Sequence, residues 1–252
     1  MKCKSDYTDV SNEFKQFRPT YPVELYNFIF SLVKERNMAW DCGTGNGQVA
    51  FILSNFFNNV VATDICKAQI DNARLARNVR YIITNSENSG LKSNSIDLIA
   101  CAQAIHWFEI EAFFKEVRRV AKDNAIIAFW GYNRFKVDYY IDAVVNNFYL
   151  KYLDKYRRDN PRVLLTNSYK TIPFDFKEIN TPSFDIKVEW NLTQLAGYLN
   201  TMSSVREYIR DNNHNPVTDL MNELLNFWKI NGAEEITFPI FMRIGKIQNY
   251  EK

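Results

Sequence analysis

Asp41-Cys42-Gly43-Thr44-Gly45-Asn46-Gly47 joins a short apolar run, residues 37–42 (NMAWDC), to a stretch with helical spacing, residues 48–57. Glycines at such a junction permit a tight turn and let a ligand approach bare backbone, while the start of the next helix offers free N–H donors. A dinucleotide-type pyrophosphate turn needs GxGxxG. Counted from Gly43, its third glycine would fall at position 48, which is Gln48. The glycine comes one residue early, at Gly47, and Asp41 precedes the first glycine by two. A pyrophosphate ligand is disfavoured.

Outward from this turn, the first 130 residues alternate strands and helices. Leu25, Phe28, Ile29, Leu32 and Val33 form one helical face, opened by Pro22 in the first turn. Residues 59–64 (NVVATD) make a β-branched run that ends in a second acid. A helix is expected over 67–77, then strands over 79–84 and 95–101 (SIDLIAC). Phe113, Val117, Val120 and Ala121 mark a further helix, before a fifth strand at 125–130 (AIIAFW). Short apolar strands separated by helices imply a parallel sheet covered on both faces, and right-handed crossovers make it doubly wound. The ligand site of such a sheet lies beyond the carboxyl ends of its strands, which here carry Asp41, Asp64, Asn85 and Gln103.

Beyond Trp130 the rhythm changes. Val137, Tyr140, Ile141, Val144, Val145, Phe148 and Tyr152 predict one long helix, and residues 154–168 show no clear period. Residues 184–190 and 236–247 alternate as strands, which brings the mostly parallel sheet to seven. Between them a stripe runs from Val217 to Trp228, with Asn215 as cap and Pro216 as first residue. The chain thus reads as one α/β domain, 1–252, with an inserted helical cap over 132–182. Pro239 cannot donate to a ladder and belongs at a strand end, edge or bulge.

The turn, its acid and the strand that follows resemble the cofactor loop of class I, Rossmann-like methyltransferases that use S-adenosylmethionine (SAM). Asp64 ends the next strand 17 residues beyond Gly47, where an acid of that family accepts both ribose hydroxyls. SAM carries no phosphate, and its sulfonium and ammonium are positive, so an acid at the turn is compatible with it. The resemblance implies a cofactor site of Asp41, Gly43, Thr44, Gly45, Gly47 and Asp64, with Ile65 on the adenine face. Asn85-Ser86-Glu87 is similar to a family segment, often Asp-Ala-Glu, whose first side chain and next N–H meet the adenine edge. Asn85 replaces the acid, and an Asn that caps its own turn is an equal reading.

Gln103-Ala104-Ile105-His106-Trp107-Phe108, followed by Glu116-Val117-Arg118-Arg119-Val120, resembles the "Q-x-x-H-W-F … E-x-x-R-V" run of a small-molecule subgroup that includes the trans-aconitate methyltransferases. Phe17-Arg18-Pro19-Thr20-Tyr21-Pro22 is similar to that subgroup's entry segment, and residues 195–205 (LAGYLNTMSSV) to its "L-x-G-Y-L-x-T-x-S-x-V" run. The resemblance implies that Arg18 pairs with the methionine carboxylate, that Gln103 borders the cofactor, and that SAM leaves as S-adenosylhomocysteine (SAH). It implies methyl transfer to an oxygen, carboxylate or hydroxyl, of a small organic molecule. A carboxylate acceptor needs no base; a hydroxyl does, and His106 is the candidate. The alternative for His106 is a hydrogen bond that only shapes the pocket. Trp107 and Tyr132 are candidate substrate neighbours, or, for Trp107, a plain core residue. The aromatic helix bearing Tyr139, Tyr140, Phe148, Tyr149 and Tyr152 is either a lid or ordinary packing.

Composition bounds the rest. With 31 basic and 29 acidic residues, the net charge of +2 predicts neither nucleic-acid nor anionic-membrane binding. Four cysteines without a CxxC pair and two histidines argue against a disulfide framework, structural zinc or any metal site. A polar start and the lack of a long apolar run lead to the expectation of a cytoplasmic protein without a membrane span, a monomer or weak dimer. The rival readings are a nicotinamide oxidoreductase, weakened by Gln48, a SAM-binding protein without catalysis, and a nucleic-acid methyltransferase, for which no Asn-Pro-Pro-aromatic tetrapeptide is found.

Overall fold

Strands buried on both faces need continuous apolar sequence, and they form the centre of the sheet. In the computed structural model, which describes residues 16–157, 160–229 and 232–248, β1 (Met38–Cys42) carries four consecutive buried residues. Strand β4 (Ile96–Ala102) is buried over its first six. With β2 (Asn59–Asp64), β3 (Val79–Ile83) and β5 (Ala121–Tyr132) they build a parallel set in the order β3-β2-β1-β4-β5. Strand β8 (Glu234–Lys246) adds antiparallel to β5, and β7 (Phe184–Trp190) and the two-residue β6 (Lys177–Glu178) pair with β8. The sheet therefore has eight strands; β6 is the one beyond the seven expected.

Helices α1 (Val23–Leu32), α2 (Gln48–Leu53), α3 (Lys67–Asp71) and α4 (Ile110–Val120) cover the parallel part. α2 and α3 stop earlier than their spacing predicts, and Pro22 sits at the N-cap of α1. The connection from β1 runs to β2 while that from β4 runs the other way to β5, which opens a crevice at the carboxyl ends of β1 and β4.

Pro239 sits where β8 changes partners. β5 pairs with β8 from Ile240 to Lys246, whereas β7 pairs with it from Glu234 to Ile240. The missing N–H thus falls just past the end of the β5 ladder, while the Pro239 carbonyl still accepts from the Asn133 N–H at 2.9 Å.

The helices above the strand ends come from two stretches rather than one. The first holds α5 (Tyr139–Phe148), capped by the Asp138 side chain on Ile141 N at 2.8 Å, a π-turn at Tyr149–Leu153, and α6 (Asn160–Thr166). The second holds α7 (Leu192–Asn200), α8 (Ser203–Asn212) and α9 (Pro216–Leu224). Ile141, Val145 and Phe148 of the first share one apolar cluster with Leu195, Leu199, Val205 and Leu220 of the second. Within 132–182, residues 177–178 return to the sheet as β6, so that segment is not helical throughout. Tyr139 and Tyr140 face outward at 82% and 65% exposure, while Phe148 and Tyr149 are buried.

Among the described residues no helix is long and apolar enough to cross a membrane, and no group of three or more His, Cys, Asp or Glu is placed to hold a metal ion. Cys42 and Cys101 are buried free thiols, pushed well above their ordinary pKa by that burial. Cys3 and the start of the chain lie outside the described residues.

One buried carboxylate ties the sheet's base together. Asp97 Oδ2 accepts from the N–H groups of Asn37 and Met38 at 2.9 and 2.8 Å, and its Oδ1 accepts from Lys122 Nζ at 2.6 Å. Replacing it orphans two amides at the entry to β1. Asp97→Ala is expected to cost about 2–4 kcal/mol in urea denaturation; a loss under about 0.5 kcal/mol, the size of an ordinary surface substitution, would show the brace to be idle.

Candidate active site

The glycine turn is left-handed at Gly43 (φ +66°) and Gly47 (φ +78°), and each glycine is also needed for space. A Cβ at Gly43 would come within 2.5 Å of the Ala104 Cβ, and one at Gly47 would run into the Tyr81 hydroxyl. At Gly45 a Cβ would meet nothing closer than 3.8 Å, because that residue faces open space. Two carboxylates at the ends of adjacent strands hold this loop. Asp41, 1% exposed, accepts through Oδ2 from Thr44 Oγ1 at 2.6 Å and from Ala50 N at 2.9 Å. Asp64 accepts from Gly45 N through Oδ2 and from Cys66 N through Oδ1, both at 2.8 Å. Burial pushes both carboxyls upward, Asp41 to about 7, against the pull of these hydrogen bonds.

The turn borders a cavity of about 630 Å³. Around its loop end stand Asp41, Gly43, Thr44, Gly45, Asp64 and Ile65. Asn85, exposed, and Ser86, buried, close the next side, and Gln103 lies at the end of β4. Gly47 is the one residue of the expected set that does not line the cavity; it caps α2.

The segment carrying Asn85 and Ser86 is anchored by a residue pair quoted above only as a motif. Glu116 Oε1 accepts from Ser89 N at 2.8 Å and Ser89 Oγ at 2.5 Å, and Arg119 grips the same carboxylate with Nε and Nη2, each at 2.7 Å. Burial opposes the Glu116 charge, but the bonds from Arg119 and Ser89 outweigh it and hold its pKa below the ordinary range. The "E-x-x-R" spacing is thus an i, i+3 pair on α4 that fixes the loop after β3.

Gln103 carries two marks of constraint. Its φ is +54°, and its buried Oε1 has no hydrogen-bond partner among the described residues. Gly131 leaves room for that oxygen, since a Cβ there would approach it to 2.9 Å. An unpaired buried acceptor of this kind costs about 1–3 kcal/mol.

At the other end the wall is aromatic and basic. Arg18 Nη1 donates to the Tyr132 hydroxyl at 3.0 Å and Nη2 to the Thr201 carbonyl at 3.3 Å, with the guanidinium 5.3 Å from the Tyr198 ring centroid. Arg18, Tyr132 and Trp107 all line the cavity. His106, 7% exposed, also lines it; its Nδ1 stands 2.8 Å from the Tyr169 hydroxyl, and its ring lies 5.0 Å from Trp107. Tyr149, named above only on the aromatic helix read as a lid or as packing, is on the wall; Tyr169, Tyr198 and Met202 were not singled out individually from sequence. Tyr198 and Met202 belong to the 195–205 run, which was the available signal; Tyr169 sits in an aperiodic turn that gave none.

Comparison with known proteins agrees with this architecture. A family model described as a methyltransferase domain matches residues 40–129, from β1 to β5. A Dictyostelium discoideum protein described as a methyltransferase is 29% identical over 253 residues, which cover 97% of this chain and 96% of that one. A Saccharomyces cerevisiae protein described as a SAM-dependent methyltransferase is 30% identical over 172 residues, 62% of this chain and 58% of the relative. A solved structure from Anaeromyxobacter dehalogenans, described as a type II methyltransferase, superposes with a TM-score of 0.85 at 34% identity, covering 93% of this chain and 100% of the other. With that likeness running through sheet, turn and cap alike, the chain belongs to the class I SAM-dependent methyltransferases.

Proposed function

We propose that this enzyme transfers the methyl group of SAM to an oxygen, carboxylate or hydroxyl, of a small organic molecule, within the subgroup that includes the trans-aconitate methyltransferases. The observation that carries the reading is one cavity of about 630 Å³ that joins a carboxylate-braced glycine turn to an aromatic wall. The residues fit the cofactor. Asp64 keeps lone pairs for two ribose hydroxyls beyond those facing Gly45 and Cys66. Open space at Gly45 leaves room for a ligand against the turn. Ile65 offers an apolar face to the adenine, Asn85 and the Ser86 N–H its edge, and Arg18 a fork for the methionine carboxylate.

Bound SAM supplies a methyl carbon already activated by its sulfonium. The chain contributes alignment and a dry site. Trp107 and Tyr132 narrow the chamber on the acceptor side, and the acids Asp41 and Asp64 at the loop end suit a ligand without phosphate better than one with it.

SAH at about 100 times its dissociation constant adds roughly 2.7 kcal/mol, and for a chain of this length the melting midpoint should rise by about 5–10 °C. Stabilisation by NAD in place of SAH would overturn the cofactor assignment. Asp64→Ala should lower SAH affinity at least about 100-fold by calorimetry, given two charged hydrogen bonds of about 1.5–3 kcal/mol each; unaltered affinity removes Asp64 from the ribose. Incubation with methyl-labelled SAM and a panel of small acids and phenols should give labelled ester or ether. Tight SAH binding with no label transferred to any of them would favour a binding protein.

Asp41 adds a pH dependence of known sign. Unfolded, it loses its proton near pH 4; folded, it keeps it up to about 7. Across that window the native state holds the extra proton, so this contribution to stability is complete below pH 4 and is lost as pH rises through 7. Asp41→Asn should flatten the fall in stability between pH 4 and 7; an identical slope in urea titrations of both proteins would show that Asp41 is not its source.

A further inference from the structure

Tyr169 is fully buried, in the turn between α6 and β6, with its hydroxyl 2.8 Å from His106 Nδ1. Ser168 and Tyr169 are successive non-glycine residues in the left-handed region, at φ +54° and +58°. Such backbone persists only where the surroundings over-determine it. They do so here. Tyr169 N donates to the Leu164 carbonyl at 3.0 Å, and Arg243 Nη1 reaches the carbonyls of Ile172 at 2.6 Å and Tyr169 at 3.4 Å. Arg243 is itself held by Glu178 through Nε at 2.8 Å and Nη2 at 3.1 Å. The phenol ring packs edge-on against Phe241 and Phe129, with centroids 5.0 and 5.8 Å away, and lies within 26° of parallel to the His106 ring.

The phenol has one proton to place. Burial raises its pKa well above the ordinary value, so the hydroxyl stays protonated. Among the described residues its only hydrogen-bond partner is His106 Nδ1. If the hydroxyl accepted from an Nδ1–H, its own proton would be left among phenylalanine rings; if it donates, both groups are satisfied. We propose that Tyr169 is a positioning residue that donates to His106 Nδ1 and fixes the Nε2-protonated tautomer, so that His106 does not act as a general base on the acceptor molecule. The role rests on reading the cavity as the methyl-transfer chamber. The nitrogen that would have taken a proton is already occupied by one from a phenol. Any proton that an acceptor molecule must shed therefore goes elsewhere.

The chain has two histidines, so long-range ¹H–¹⁵N spectra of the labelled full-length protein contain two imidazoles, and exposed His214 serves as the reference. The expected spectrum shows His106 with an unprotonated Nδ1 and a protonated Nε2. Tyr169→Phe should move the Nδ1 resonance or mix the tautomers while His214 stays in place. A protonated Nδ1 in the wild-type protein overturns the proposal even if Tyr169→Phe does not fold. An unchanged His106 signal in a folded Tyr169→Phe overturns it equally. SAH calorimetry is read separately: Tyr169→Phe should bind within about twofold of wild type, as expected for separated sites. Absence of SAH binding to the wild-type protein would remove the cofactor reading while leaving the tautomer result standing.

Discussion

Two carboxylates at the ends of neighbouring parallel strands make the glycine turn a fixed object. Strands β1 and β2 run in register, with Asp41 opposite Ala62 and Cys42 opposite Thr63, so Asp41 and Asp64 emerge close together beyond the sheet. Three left-handed glycines have little intrinsic reason to hold one conformation. Asp64 takes the Gly45 N–H, Asp41 takes Thr44 Oγ1 and Ala50 N, and Thr44 N pairs with the Thr63 carbonyl. The N–H groups of Thr44, Gly45 and Ala50 are thereby given a place, and the space above Gly45 remains open. Burial of the acids is the cost of this arrangement, and it is visible in their raised pKa values.

What could be read from sequence follows the range of the interaction that writes it. The central strands were legible because a doubly covered strand must be apolar throughout, and NMAWDC, NVVATD and SIDLIAC say so residue by residue. The Asn215–Pro216 start of α9 was legible because a cap is a contact between near neighbours, here Asn215 Oδ1 and Val217 N at 3.0 Å. Helices α7 and α8 were read only as a motif. In α7 the glycine at 197 interrupts the helical pattern because Phe17 packs against it, and a Cβ there would come within 2.5 Å of that ring. The reason lies 180 residues away in sequence, beyond any local window.

The candidate site divides the same way. Its loop end is local: strand, turn and helix within a dozen residues, plus the acid of the next strand. Its aromatic and basic end is not. Arg18 meets Tyr132 across 114 residues and Thr201 across 183, and His106 meets Tyr169 across 63. No period or spacing encodes such pairs. Glu116 and Arg119 fall between these cases, since their i, i+3 spacing was visible but their partner, Ser89, was not.

This division has a mechanical consequence. The cap helices gather around an apolar cluster that includes Phe148, Leu195, Val205 and Leu220, distinct from the clusters on the two faces of the parallel strands. Tyr132, at the end of β5, belongs to the cap cluster while its strand neighbours belong to the sheet. With Ile186 of β7 and Ile236 and Phe238 of β8 it joins the two, and its hydroxyl is where Arg18 attaches. The carboxylates that brace the turn belong to neither cluster, although Tyr21 and Ile240 pack against both the cap cluster and that of Leu25, Val49 and Trp130. A chain built this way fixes its turn in backbone geometry and its cap wall in side chains that meet across long stretches of sequence, which is why the turn identifies the family more readily than the wall does.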